Sequence, residues 1–172
     1  MSRTEDELDE AFEQEYSEFM DSLDADGVYL SGPIRCVEDD GRDWRESLIE
    51  DYPELDFNNP LDNFDPETHD ILNDPVDFDE NAEKEQVLPS EYVTEDKIMI
   101  NSSDAIFLGL PENIARGSMM ETMYGYMRDV PVFVWTMEDQ TESGWIYNHA
   151  EFMSNDRDEV IRELKQWLKS QT

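Results

Sequence analysis

The sequence predicts a small doubly wound α/β domain with four or five parallel strands and helices on both faces. Three observations predict it. The stretches Asp104-Ala105-Ile106-Phe107-Leu108-Gly109-Leu110 and Val130-Pro131-Val132-Phe133-Val134-Trp135 are short apolar runs of the kind that strands buried on both faces require. A helical segment that starts around Arg116 to Ser118, with Glu121 just inside it, stands between them, so the three together form a right-handed βαβ unit, which makes the sheet parallel. Val28-Tyr29-Leu30-Ser31 reads as a first strand stopped by Gly32 and Pro33, which break the pattern at its carboxyl end.

Taken in order, residues 1–26 form an acidic amphipathic helix, with Leu8, Phe12, Phe19 and Leu23 at helical spacing, packed on the domain or on a sister subunit. Residues 27–172 form the α/β domain. A short helix surrounds Asp43 to Ile49, and Leu55-Asp56-Phe57-Asn58-Asn59-Pro60 is a second strand running into a loop. Residues 61–88, rich in Asp, Asn and Pro, read as a long acidic loop over one end of the sheet, either a functional lid or a disordered insertion. A helix follows from Pro89 to about Ser102, with Ser90 or Thr94 as its cap. Within it Asp96 shares a face with Val93 and Ile100; it either caps a backbone group or meets a ligand. Beyond Trp135 come a polar loop, the segment Ser143 to His149, and a closing helix from about Arg157 to Lys169 whose stripe is Val160, Leu164, Trp167 and Leu168.

Composition narrows the function classes. With 45 Asp+Glu against 12 Lys+Arg, the formal net charge of −33 repels phosphate backbones and argues against a nucleic-acid partner. Such charge fits disorder or a folded protein of a salt-rich cytoplasm, and eight Phe, seven Tyr and four Trp favour the folded one. Cys36 is a single cysteine, so no intramolecular disulfide is expected. No apolar run has transmembrane length and no basic-then-apolar leader opens the chain; the expected address is the cytoplasm, with no membrane partner.

Glu121 is the leading candidate for chemistry, because it enters on a helix over the carboxyl ends of the strands, where α/β sheets bind ligands. The glycines near it make neither a dinucleotide fingerprint nor a Walker loop. His69 and His149 lack ligand-spaced partners, so neither a metal nor another cofactor is expected. Ser31 is in no nucleophile elbow. The remaining carboxylates, hydroxyls and few arginines suit chemistry at the anomeric carbon of a sugar.

Four pieces, in order, then resemble the nucleoside 2-deoxyribosyltransferases: Tyr29-Leu30-Ser31-Gly32-Pro33-Ile34, Phe57-Asn58-Asn59-Pro60-Leu61-Asp62, Glu95-Asp96-Lys97 ahead of Asp104, and Gly117-Ser118-Met119-Met120-Glu121. The likeness spans roughly residues 27 to 165 and implies a flavodoxin-like fold. It implies that a deoxynucleoside and a free nucleobase exchange bases through a glycosyl-enzyme intermediate, with Glu121 as nucleophile in the first turn of its helix, kept ionised by the helix dipole. It implies that Asp96 handles the base and its proton, and that the Tyr29 hydroxyl orients Glu121. Ser31, Gly32, Pro33, Asn59, Gly117 and Ser118 would contact substrate, and Asn148 or Tyr147 would serve from a neighbouring subunit of a homo-oligomer. Asp104 caps the strand entrance. The family pattern has an acid six positions ahead of the nucleophile for the sugar hydroxyl, and here Ala115 stands there. A related reading is a deoxynucleoside 5'-monophosphate N-glycosidase, with Arg35 and Arg116 as phosphate ligands and water as acceptor; a third is a non-catalytic nucleotide-binding module.

Overall fold

The computed structural model describes residues 27–34, 37, 39–65, 67–111, 115–137 and 144–171. The helix expected over residues 1–26, together with Arg35 and Cys36, lies outside the described residues. In chain order the elements are β1 (Val28–Ser31), α1 (Arg42–Asp51), β2 (Phe57–Asn58), β3 (His69–Ile71), β4 (Glu85–Val87) and α2 (Pro89–Asn101). There follow β5 (Ala105–Leu110), α3 (Arg116–Met127), β6 (Val132–Thr136), α4 (Gly144–His149), β7 (Phe152–Ser154) and α5 (Arg157–Gln171). Short 3-10 turns occupy Pro60–Asp62 and Pro75–Asp77.

Five strands form one parallel sheet in the order β2-β1-β5-β6-β7. This is the flavodoxin-like doubly wound arrangement, and the strand order reverses between β1 and β5. Period-2 alternation sorts the side chains of the sheet to its two faces. Val28, Leu30, Ala105, Phe107 and Phe133 pack against Trp44 and Leu48 of α1 and Val160, Ile161 and Leu164 of α5. Tyr29, Ile106, Leu108, Leu110, Val132 and Val134 pack on the other face, with Ile100 of α2, Ile146 of α4 and the partly buried Met119 and Tyr124 of α3. All six residues of β5 are buried, which is why that strand reads as an uninterrupted apolar run. No helix among the described residues is long and apolar enough to cross a membrane.

Three local expectations change. Residues 61–88 are not a featureless loop: β3 and β4 pair in parallel to make a separate two-stranded sheet. Leu72 and Val87 anchor it by burial, and the Leu72 amide donates to the Val87 carbonyl at 3.0 Å. Helix α2 is capped at Leu88, whose amide donates to the Glu91 carboxylate at 2.7 Å, and not by Ser90 or Thr94. Pro89 explains the shift, since it occupies the first helical position, where an N–H is not needed. Val93 is exposed, so the inward face of α2 runs instead through Tyr92, Asp96 and Ile100, spaced one turn apart.

Candidate functional site

Tyr29 and Ser31 are two residues apart on β1 and therefore point to the same face of the sheet, the one covered by α2 and α3. Each grips one carboxyl. The Ser31 hydroxyl, at the carboxyl end of the strand, donates to Oε2 of Glu121 at 2.5 Å. Tyr29, one layer deeper, donates from Oη to Oδ1 of Asp96 at 3.1 Å. The two carboxyls thus arrive from separate helices, α3 and α2, and are tied to alternate positions of one strand at the point where the strand order reverses.

The assignment of partners differs from the expectation. The tyrosine hydroxyl goes to Asp96, and Ser31 takes the place expected of it beside Glu121. Helix α3 starts at Arg116, so Glu121 is in its second turn, beyond the reach of the dipole effect invoked for the first. The direction of its ionisation agrees: burial, then the nearby Asp96 charge, push the Glu121 carboxyl up to about 7, while Ser31 and Arg45 act in the opposite sense. Asp96 is pushed up to about 6, chiefly by burial and with a small push from Glu95, against the lowering effects of Tyr29 and Arg45. Tyr29 is held well above its ordinary value by burial and by the charges of Glu121 and Asp96. Protein crowds both carboxyls, yet each keeps an edge open to a cavity. Between about pH 6 and about pH 7 the pair therefore holds about one proton, mostly on Glu121, and above that both members ionise.

That cavity measures about 550 Å³ and is lined by Gly32, Ile34, Asp96, Ala115, Arg116, Gly117, Ser118 and Glu121, together with Pro60, Phe64, Ile71, Asn73 and Tyr92. Its size suits a small organic ligand of nucleoside dimensions. The backbone is brought close at Gly32, where a Cβ would fall 2.6 Å from the Gly109 carbonyl and 2.7 Å from the Trp44 ring. Pro33 is buried beside it and offers its carbonyl to Arg45. Asn59 does not reach the cavity: its side chain accepts from the Leu61 amide at 3.3 Å and caps the 3-10 turn, leaving neighbouring Pro60 as wall. Asn148 is exposed on α4 and lines no part of this cavity. The Asp104 side chain is exposed, while its amide donates to Gly27 at the strand entrance. Ala115 does line the cavity, as the residue before α3, and offers no acid.

Phe64, Ile71, Asn73 and Tyr92 were absent from the sequence-based site. For Tyr92 a signal existed, since it precedes Asp96 by one helical turn. The others stand in or beside the β3-β4 segment, whose three-residue strands carry too little pattern to place them. Arg116 is exposed at the start of α3 and lines the cavity, and among the described residues no carboxylate pairs with it. In comparisons with known proteins, no family model matches the chain, and neither a curated protein nor a solved structure matches it.

Proposed function

We propose that the protein is a nucleoside 2-deoxyribosyltransferase. The observation that carries the reading is the pair of carboxyls, Glu121 and Asp96, facing one nucleoside-sized cavity at the sheet's reversal point, each held by its own hydroxyl from β1. In the first half-reaction Glu121, as carboxylate, attacks the anomeric carbon of a 2'-deoxynucleoside. The bond from that carbon to the base nitrogen breaks, and its electron pair leaves with the base, which takes the proton of Asp96. In the second half a ring nitrogen of another nucleobase attacks the glycosyl ester, Glu121 leaves as carboxylate, and Asp96 regains a proton from the incoming base. One carboxyl must be ionised while the other is protonated; Glu121, raised to about 7, is the weaker acid of the two and Asp96, raised to about 6, the stronger, so the proton passes from Glu121 to Asp96 as the substrate binds.

Arg116 favours a second reading. A cation on the cavity rim at a helix start suits the 5'-phosphate of a deoxynucleoside monophosphate, and water as acceptor would make the enzyme an N-glycosidase. One experiment separates the two. In molar salt, purified protein is given a deoxynucleoside with and without a second free base, then the 5'-monophosphate, and the products are resolved chromatographically. Exchange that depends on the acceptor base supports transfer. Deoxyribose 5-phosphate released regardless of acceptor refutes it in favour of hydrolysis, and binding without turnover refutes both in favour of a binding module.

The setting we infer is the salt-rich cytoplasm, supported by the net charge of −33 around an ordered apolar core. A homo-oligomer fits the exposed Met120, Met123 and Met127 of α3 with Trp145 and Tyr147 of α4, an apolar surface beside the site.

A further inference from the structure

Arg45 belongs to a helix whose sequence, Arg42-Asp43-Trp44-Arg45-Glu46-Ser47, reads as solvated surface, yet its side chain is completely buried. Among the described residues it is the one Lys or Arg in the interior. Such a guanidinium is costly to bury unless its donors are met. Here the two terminal nitrogens meet the main chain, while Nε has no hydrogen-bond partner. Nη1 donates to the carbonyls of Gly41 at 2.8 Å and Pro33 at 3.3 Å, and Nη2 to those of Gly32 at 3.0 Å and Leu30 at 3.5 Å. The guanidinium carbon also lies 4.4 Å from the centre of the Trp44 ring.

Three of the four carbonyls it collects, those of Leu30, Gly32 and Pro33, belong to the backbone immediately around Ser31. The loop is shaped to admit it: Gly41 sits at φ 69°, and a Cβ there would fall 2.1 Å from the Pro33 carbonyl and 2.5 Å from Nη1. A left-handed turn with no room for a Cβ at Gly41 thus closes on the guanidinium. No side chain of the cavity wall is touched by these bonds; what they fix is the end of β1.

We propose that Arg45 is a positioning residue of the reaction, which fixes the Leu30–Pro33 backbone so that the Ser31 hydroxyl holds Glu121, and whose charge keeps that carboxyl available as an anion. This rests on the reading of Glu121 as nucleophile. The ionisable groups that feel Arg45 are Tyr29, Glu121, Asp39 and Asp96, in that order. Those acting on Glu121 itself are Asp96, which opposes its ionisation, and Arg45 with the Ser31 hydroxyl, which favour it. Burial lowers the Arg45 guanidinium only to about 10, so it stays a cation wherever the carboxyls titrate. Two functions are therefore separable in one side chain: a fork that organises carbonyls, and a charge that acts through space.

Arg45→Lys keeps the charge and loses the fork; Arg45→Gln keeps some hydrogen bonding and loses the charge. Two readouts are followed in both, after circular dichroism has established folding. One is the titration of the Glu121 carboxyl by carbon-13 NMR, assigned by its loss in Glu121→Gln. The other is the pH profile of kcat for deoxyribosyl release. In Arg45→Gln the Glu121 titration and the acid limb of kcat are expected to rise together by about one pH unit, the usual scale for loss of one nearby opposite charge. In Arg45→Lys the titration is expected to stay in place while kcat at its plateau falls roughly tenfold, the scale of a misplaced reacting group.

A folded Arg45→Gln with an unmoved titration overturns the proposal, and so does an Arg45→Lys variant with wild-type kcat. If Arg45→Gln fails to fold, Arg45→Lys decides alone, through lost kcat at an unmoved titration. The NMR titration needs no substrate. A wild-type protein that turns over no deoxynucleoside therefore defeats the proposed function, whereas an unmoved titration defeats the role of Arg45.

Discussion

Two populations of carboxylates share this chain, and they behave oppositely. On the surface, Asp65 accepts from the Glu67 amide and from Arg42, and is held below its ordinary range by these bonds; Glu54, paired with Lys165, is held low as well. In the site, Glu121 and Asp96 also accept hydrogen bonds, from Ser31 and Tyr29, yet both are held high. The difference is desolvation. One hydroxyl apiece does not offset the removal of water from a carboxylate, and the second carboxyl adds repulsion to Glu121. An acidic surface and a pair of reluctant acids thus come from the same residue types, separated by burial.

The largest effect that would break this contrast is chemical. Glu121→Gln preserves shape and an acceptor for Ser31 but removes the nucleophile, and initial-rate assays are expected to show kcat for base release falling by about 10⁴-fold or more. Retained turnover in a folded variant would refute the assignment. Asp96→Asn removes proton transfer only, so a loss of roughly 10²- to 10³-fold is expected, smaller for bases that leave readily without protonation. Equal losses for all bases would argue against that role.

A smaller effect concerns stability. The folded Glu121 holds its proton more tightly than the unfolded chain does, because burial raises it from an ordinary value of 4.5 to about 7. Native protein therefore binds more protons than unfolded protein between those values, and the group's contribution to stability falls as pH rises through that window. Glu121→Gln should stabilise the fold at pH 8 by about 2 kcal/mol, less than the full shift implies because the cavity admits water, and the gain should vanish near pH 4. Denaturant melts at the two pH values measure it. Asp65→Asn should do the reverse. Its carboxyl is held low in the fold, so it stabilises above its ordinary value and loses that effect on acidification. The expected change is a small loss at pH 8 that fades on acidification, and a gain there would undo the comparison.

The main sheet was legible because burial on both faces imposes one compositional rule, continuous apolar residues, and β5 and β6 obey it. Glu121 was legible from its helix between two apolar strands, and Asp96 as an acid on one face with Ile100. Their partners were harder to assign. Period 2 on β1 put Tyr29 and Ser31 on one face, but which hydroxyl meets which acid depends on helix placement over the sheet, a tertiary fact. Helix α3 begins at Arg116 as expected, but Glu121 falls in its second turn rather than its first, and it is burial that inverts the expected direction of its ionisation. Arg45 was invisible, since its burial depends on carbonyls gathered from the loop after β1 and from Gly41.

The β3-β4 pair carries a consequence of its own. Its strands hydrogen-bond to each other and not to the main sheet, and Ile71 within it and Asn73 just beyond line the same cavity as Glu121. One wall of the cavity thus belongs in part to a unit of architecture separate from the main sheet. A segment from another sequence could replace this wall without repacking either face of the sheet, much as an interchangeable cover fits a fixed frame. Ligand preference and chemical competence can then diverge independently, each altered by changes that leave the other intact.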